Sequence, residues 1–153
     1  MGFGSPLRKY HPRVIFLVRH PAAVALSHRK LGWWKEIGEA EGTKLSARLH
    51  ASLDVLKGYD DSIVVRYEEL CAEPLKVFRS LFNFACLKWD KKIEKFIQDK
   101  TSARNREQLD STSRDSLSMI EAWKGQVSKQ EIEKLRKGYG AFSLPCYQSP
   151  EEW

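Results

Sequence analysis

The sequence has little cysteine, no long apolar run, and no acidic residue before Glu36. Its three cysteines, Cys71, Cys86 and Cys146, are an odd number at long spacings with no CxxC pair. That excludes a disulfide framework or a cysteine zinc site as the organising device and makes a reducing compartment the expectation. No apolar stretch approaches the roughly 20 residues of a membrane-spanning helix. The opening MGFGSPLRKYHPR carries charge too early and too densely for a signal peptide, so a cytoplasmic location is expected. None of the nine glycines completes a GxxxxGKS, GxxxxGKT or GxGxxG phosphate loop. His11, His28 and His50 show no metal-ligand spacing, and no metal is expected.

What is present is a chain of 153 residues, 42% apolar and 30% charged, the composition of one soluble globular domain, 1–153. Its net charge of +6 is unevenly placed. Arg8, Lys9, Arg13, Arg19, Arg29, Lys30 and Lys35 all precede the first carboxylate, and the remainder is close to neutral. Such a skew points to an anion site near the amino end rather than to a uniformly basic surface.

The continuous run Val14-Ile15-Phe16-Leu17-Val18 reads as a strand buried on both faces, the kind found in parallel sheets. It ends at Arg19-His20-Pro21, and Pro21 suits the first turn of a helix, where its missing N–H removes no bond. Ala23, Ser27, Leu31 and Trp34 then recur at helical spacing, predicting a helix to about Trp34. A second helix is predicted through Leu45, Leu49, Leu53 and Leu56, with Gly58 as its stop. Ser62 to Arg66 reads as a second buried strand, completing a βαβ-like unit. Further helices are predicted after Pro74 (Leu75, Phe78, Phe82, Ala85), after the cap Asp90 (Ile93, Phe96, Ile97), through Leu117, Ile120 and Trp123, and behind the Ser128-x-x-Glu131 capping box (Ile132, Leu135, Tyr139). Lys100 to Arg114 is polar and reads as a loop. Two strands buried on both faces do not make a stable parallel sheet alone. The expectation is therefore an α/β fold, a partial parallel sheet with several helices that belongs to a larger domain or is completed by another chain.

The strand-to-helix turn is the strongest chemical signal. Ligands of open α/β sheets bind at the carboxyl ends of strands, and a helix amino end is expected to offer free N–H groups and positive potential to an anion. Arg19 stands at that point with a permanently charged, bidentate donor fork suited to phosphate. Ser27 lies six residues beyond Pro21, about 9 Å along a helix axis, within reach of an anion lying along the helix flank. It also fits a small-residue place on the stripe Ala23, Ser27, Leu31. His20 is a weak candidate for a base or phosphate donor, and Trp33-Trp34 either lines an acceptor pocket or covers a helix end and core.

The segment VIFLVRHPAAVALS resembles the 3′-phosphate-binding segment of the sulfotransferases that use 3′-phosphoadenosine 5′-phosphosulfate (PAPS). There a strand ends in Arg, a Pro commonly follows two residues later, and a Ser follows eight residues after the Arg; Arg19, Pro21 and Ser27 have that spacing. IVVRYEELCAEP, Ile63 to Pro74, resembles a strand-plus-turn found downstream in the same family. Ser111 to Phe142 resembles the closing helices of its bacterial and carbohydrate-type branch. The three segments stand in family order. The resemblance implies a three-layer, P-loop-like α/β fold, PAPS as co-substrate, no metal, and Arg19 and Ser27 as ligands of the 3′-phosphate. It also implies Arg114, ahead of Arg104 and Arg106, as a loop cation over the nucleotide, and an acceptor that is a carbohydrate or another small molecule. In RYEEL, Arg66, Tyr67 and Glu68 are expected to be structural.

Family members hold the 5′-phosphosulfate with a PKSGTT-like loop and carry a catalytic His or Glu, both ahead of the Arg…Ser segment. Neither pattern occurs in these residues. The catalytic group is therefore unassigned, and the chain is expected to correspond to the carboxyl-terminal portion of a sulfotransferase with little turnover alone. Two other readings are a non-catalytic basic nucleotide- or nucleic-acid-binding module, and a P-loop-like kinase fragment that would need a Walker lysine. The basic residues do not share one helical face and no nucleic-acid motif is present, so no nucleic-acid partner is expected.

Overall fold

A computed structural model of the chain describes residues 11–102 and 115–153. The element order is β1 (Val14–Val18), α1 (Pro21–Lys30), α2 (Glu39–Leu56), β2 (Ser62–Arg66), α3 (Tyr67–Ala72), α4 (Pro74–Phe84), α5 (Lys91–Thr101), α6 (Ser116–Ile120) and α7 (Lys129–Tyr139), with a short 3-10 turn at Pro150–Glu152. The fold is mixed α/β, as expected. β1 and β2 pair in parallel, Val14 opposite Ser62 and Val18 opposite Arg66. The described residues fall into two compact units. One contains β1, β2 and α3 to α6; the other contains α1, nearly all of α2, α7 and the C-terminal segment.

In the strand unit the burial expected on both faces is not met by this chain alone. Alternate residues of a strand point to opposite faces, and in-register partners share a face. Val65 is buried while its partner Leu17 is 51% exposed; on the other face Val18 is buried while Val64 is 42% exposed. Each face of a two-stranded sheet is thus covered over one strand and bare over the other, because no further strand or layer flanks it among the described residues. Beyond β2, α3 starts without a break, with Glu68 and Glu69 in its first turn, where carboxylates favour the helix dipole. Ser116 Oγ of α6 donates to the Cys71 carbonyl of α3 at 2.8 Å. α4 begins at Pro74 as expected, and α5 is capped by Asp90, which accepts from the N–H groups of Lys92 and Ile93.

In the other unit the core is Ala22, Ala23, Ala25, Leu26, Ile37, Trp123, Val127 and Leu135, with Trp34, Leu45, Ile132 and Trp153 packed against it. α1 stops four residues before the position that periodicity suggests. Gly32 turns to φ +73°, and the N–H groups of Trp33 and Trp34 fold back onto the His28 carbonyl at 2.9 and 3.3 Å, a left-handed glycine closure. α2 starts earlier than its leucine stripe indicates, with Glu39 and Glu41 in its first turn. It meets α7 at a glycine crossing: a Cβ on Gly42 would lie 2.1 Å from the Leu135 carbonyl oxygen, and one on Gly138 would lie 1.9 Å from that of Glu39. Gly138 is therefore inside α7, where it allows the backbones to touch, and Gly140 is the residue that caps the helix. Thr43 Oγ1 spans the crossing, donating toward the carbonyls of Glu39 and Gly138.

Candidate functional site

β1 delivers the chain to Arg19, which is half-buried, and α1 begins two residues later at Pro21. His20 is the N-cap of α1, with φ −50° and ψ 130°. Its ring is 4% exposed and uses both nitrogens. The Ala22 N–H donates to Nδ1 at 3.2 Å, and Nε2 donates to the Glu152 carbonyl at 2.8 Å. The ring stacks on Trp123 at 4.5 Å and 6° and meets the edges of Tyr147 and Trp153 at 5.2 and 4.8 Å. A histidine so engaged is a structural cap. It has no lone pair or proton open to a substrate at either nitrogen, which removes it as a base or phosphate donor in this arrangement.

This cap also corrects the expectation of free helix N–H groups. Pro21 has none, that of Ala22 goes to His20, and those of Ala23 and Val24 go to the His20 carbonyl at 3.0 and 3.1 Å. What α1 leaves for an anion at this end is the field of its dipole. Ser27 is exposed, as is Leu31 (58%), whereas Ala23 is buried. The stripe that made Ser27 a packing residue therefore leaves the core after its first member, and the Ser27 hydroxyl faces solvent. Arg114, with Arg104 and Arg106, lies outside the described residues.

The basic excess of the first 35 residues is partly neutralised. Arg13 pairs with Asp61 at 3.7 Å. Arg29 donates to Glu131 at 2.8 Å and to the Gln126 carbonyl at 2.6 Å. Glu131 closes the expected capping box, accepting from the Ser128 N–H at 2.8 Å. The Ser128 backbone bond is the largest influence holding its carboxyl below the usual range, with the Arg29 charge adding to it. Lys30 and Lys35 are exposed.

Trp33 and Trp34 separate in role. Trp34 joins the core and meets the His28 ring edge-on at 4.5 Å, while Trp33 is 68% exposed and lies tilted against that ring at 5.2 Å. Desolvation, and then the nearby Arg48 charge, lower the His28 pKa below its ordinary value. Among the described residues no group of three or more His, Cys, Asp or Glu side chains could hold a metal ion, and no helix is long and apolar enough to cross a membrane.

Two participants escaped the sequence. One is the segment Tyr147–Trp153, whose carbonyl and aromatic rings complete the His20 cage; its only advance sign was an aromatic-rich stretch with no periodicity. The other is the Gly42 and Gly138 pair, which carries no local motif because each glycine answers to the backbone of the other's helix, far along the chain.

No protein-family model matches the chain, and no solved structure matches it. Two curated proteins do. Mouse carbohydrate sulfotransferase 5 is 28% identical over 90% of this chain and 42% of its own length. Mouse carbohydrate sulfotransferase 3 is 30% identical over 73% of this chain and 28% of its own length. The chain therefore spans well under half the length of the curated relatives it matches. The three segments read in the sequence and these two alignments agree: the chain is related to the carbohydrate sulfotransferases, within the PAPS-dependent sulfotransferase family.

Proposed function

We propose that this chain forms the 3′-phosphate-binding part of a PAPS-dependent sulfotransferase acting on a carbohydrate hydroxyl or amine, within one sulfotransferase-like domain. What supports this reading is a half-buried arginine at the strand-to-helix turn and an exposed serine eight residues later in the sequence, in a chain related to carbohydrate sulfotransferases. PAPS supplies an activated sulfuryl group and a 3′-phosphate handle. Arg19 meets that handle with a fixed positive charge and two parallel donors. Ser27 adds a hydroxyl donor from the solvent face of α1. The capped first turn contributes dipole potential without direct N–H bonds, so the affinity rests more on Arg19 than it would at an open helix end. A grip on the remote phosphate orients the nucleotide and thereby the group to be transferred. The nucleic-acid reading is less well supported, since Arg13 and Arg29 are committed to internal partners.

Calorimetry with 3′-phosphoadenosine 5′-phosphate tests the assignment. Arg19→Ala is expected to weaken binding about 10- to 100-fold, the scale of hydrogen bonds between charged groups, and Ser27→Ala by about 3- to 10-fold, since an exposed hydroxyl brings one donor and no charge of its own. Equal affinity of wild type and Arg19→Ala removes Arg19 from the site. Binding of an unrelated oligonucleotide that falls steeply between low and moderate salt would instead favour the nucleic-acid module.

A further inference from the structure

We propose that His20 is a positioning residue that couples the C-terminal segment to the nucleotide-binding turn; the proposal rests on the reading of Arg19 given above. Nδ1 accepts the Ala22 N–H while Nε2 donates to the Glu152 carbonyl, and only the neutral Nε2–H tautomer can do both. The ring is thus one rigid strut with the first turn of α1 at one end and the peptide of residue 152 at the other.

The far end is itself anchored. Trp153 Nε1 donates to the Tyr147 carbonyl at 3.0 Å, and the Trp153 ring packs against His20 at 4.8 Å and Tyr139 at 5.7 Å. The Glu152 carboxylate accepts from the Ser149 N–H at 3.2 Å, a local bond that holds the last turn of the segment together. Trp123 covers one face of the His20 ring by stacking.

The strut matters for binding because of where Arg19 is. It is the residue immediately before the cap, so the direction in which its Cα–Cβ bond leaves the chain relative to α1 is set by its own ψ and by the φ and ψ of His20, held at −50° and 130°. Release of the C-terminal segment frees the His20 ring, loosens the cap and lets that direction vary. Arg19 would then have to be ordered at the moment of binding, an entropic cost that the docked state has already met. By linkage, a nucleotide held at Arg19 must in turn favour the docked segment.

The 153-residue chain tests this with two variants. His20→Asn keeps a side-chain oxygen for the Ala22 N–H, asparagine being a good helix cap, but is too short to reach the Glu152 carbonyl. Trp153→Ala keeps the whole His20 ring and removes the anchor of the segment. In long-range nitrogen–proton spectra the wild-type His20 ring should show the Nε2–H tautomer. The Trp153 indole N–H resonance should move toward its free-peptide position in His20→Asn. On addition of 3′-phosphoadenosine 5′-phosphate, that indole resonance should shift in wild type with the affinity measured by calorimetry, a response a purely structural residue would not give. Each variant should bind the nucleotide about 5- to 10-fold more weakly, within the usual range of site-to-site coupling. The double variant should bind no more than about 10-fold more weakly, because both act through one contact.

Unchanged affinity in both single variants, while Arg19→Ala loses binding, overturns the coupling and leaves the Arg19 reading intact. Wild-type affinity in Arg19→Ala overturns that reading and the coupling with it. An indole resonance unmoved in His20→Asn, or an Nδ1–H tautomer, overturns the strut itself, whatever the nucleotide does.

Discussion

The unit built on α1, α2 and α7 and the unit built on the two strands use apolar residues in similar supply to opposite effect. In the first, Ala22, Ala25 and Leu135 are fully buried, two helices touch backbone to backbone at Gly42 and Gly138, and three aromatic rings enclose His20. In the second, Ile15, Leu17 and Val64 are between 42% and 51% exposed, α4 has no buried residue, and Leu87 and Phe96 are 58% and 62% exposed. Apolar patterning creates a need for a partner. Whether a partner is supplied depends on what else folds onto the same surface, and among the described residues nothing covers Leu17 or Val64, although Val18 and Val65 are buried.

The largest effect that would sharpen the contrast is in the helical core. Leu135→Ala, at a fully buried position, should lower stability by about 2–5 kcal/mol in denaturant unfolding. A loss under about 1 kcal/mol would show that this core is no better packed than the strand unit. Gly138→Ala should follow at about 1–3 kcal/mol, since the added Cβ meets backbone rather than a yielding side-chain tip. A smaller effect is expected across the divide: Leu17→Ser should change stability by only about 0.5 kcal/mol or less while raising solubility. A loss comparable to that of Leu135→Ala would mean that Leu17 is covered in solution and would break the comparison.

The smallest effect concerns pH. The His28 pKa is lowered in the fold, chiefly by desolvation, so the unfolded chain binds the proton more readily. The stability that His28 contributes is therefore complete above the unfolded value of 6.5 and declines as pH falls through 6.5 toward the lower folded value. His28→Gln should flatten that part of the stability-against-pH curve, and an unchanged slope would place the proton uptake elsewhere.

Much of the local structure was legible because its causes are local. Pro21 and Pro74 open helices, Asp90 caps one, and Ser128 with Glu131 closes a capping box, each within four residues of chain. The spacing of Arg19 and Ser27 was legible for the same reason. What could not be read were relations between distant residues: that His20 closes the helix end expected to be open, that Ser27 leaves the core while Ala23 stays in it, and that Gly138 lets α7 approach the α2 backbone.

The sequence by itself determined the order of the two strands and of most helices, the caps at Asp90 and Ser128, the basic bias of the first 35 residues and the family relationship. These follow from propensity, periodicity and motif spacing, which are properties of neighbours along the chain. Only the tertiary structure decided which N–H groups of α1 remain for an anion and which aromatic residues hold the turn that bears Arg19. Hydrogen-bond partners across 132 residues are chosen by packing, and packing has no local code.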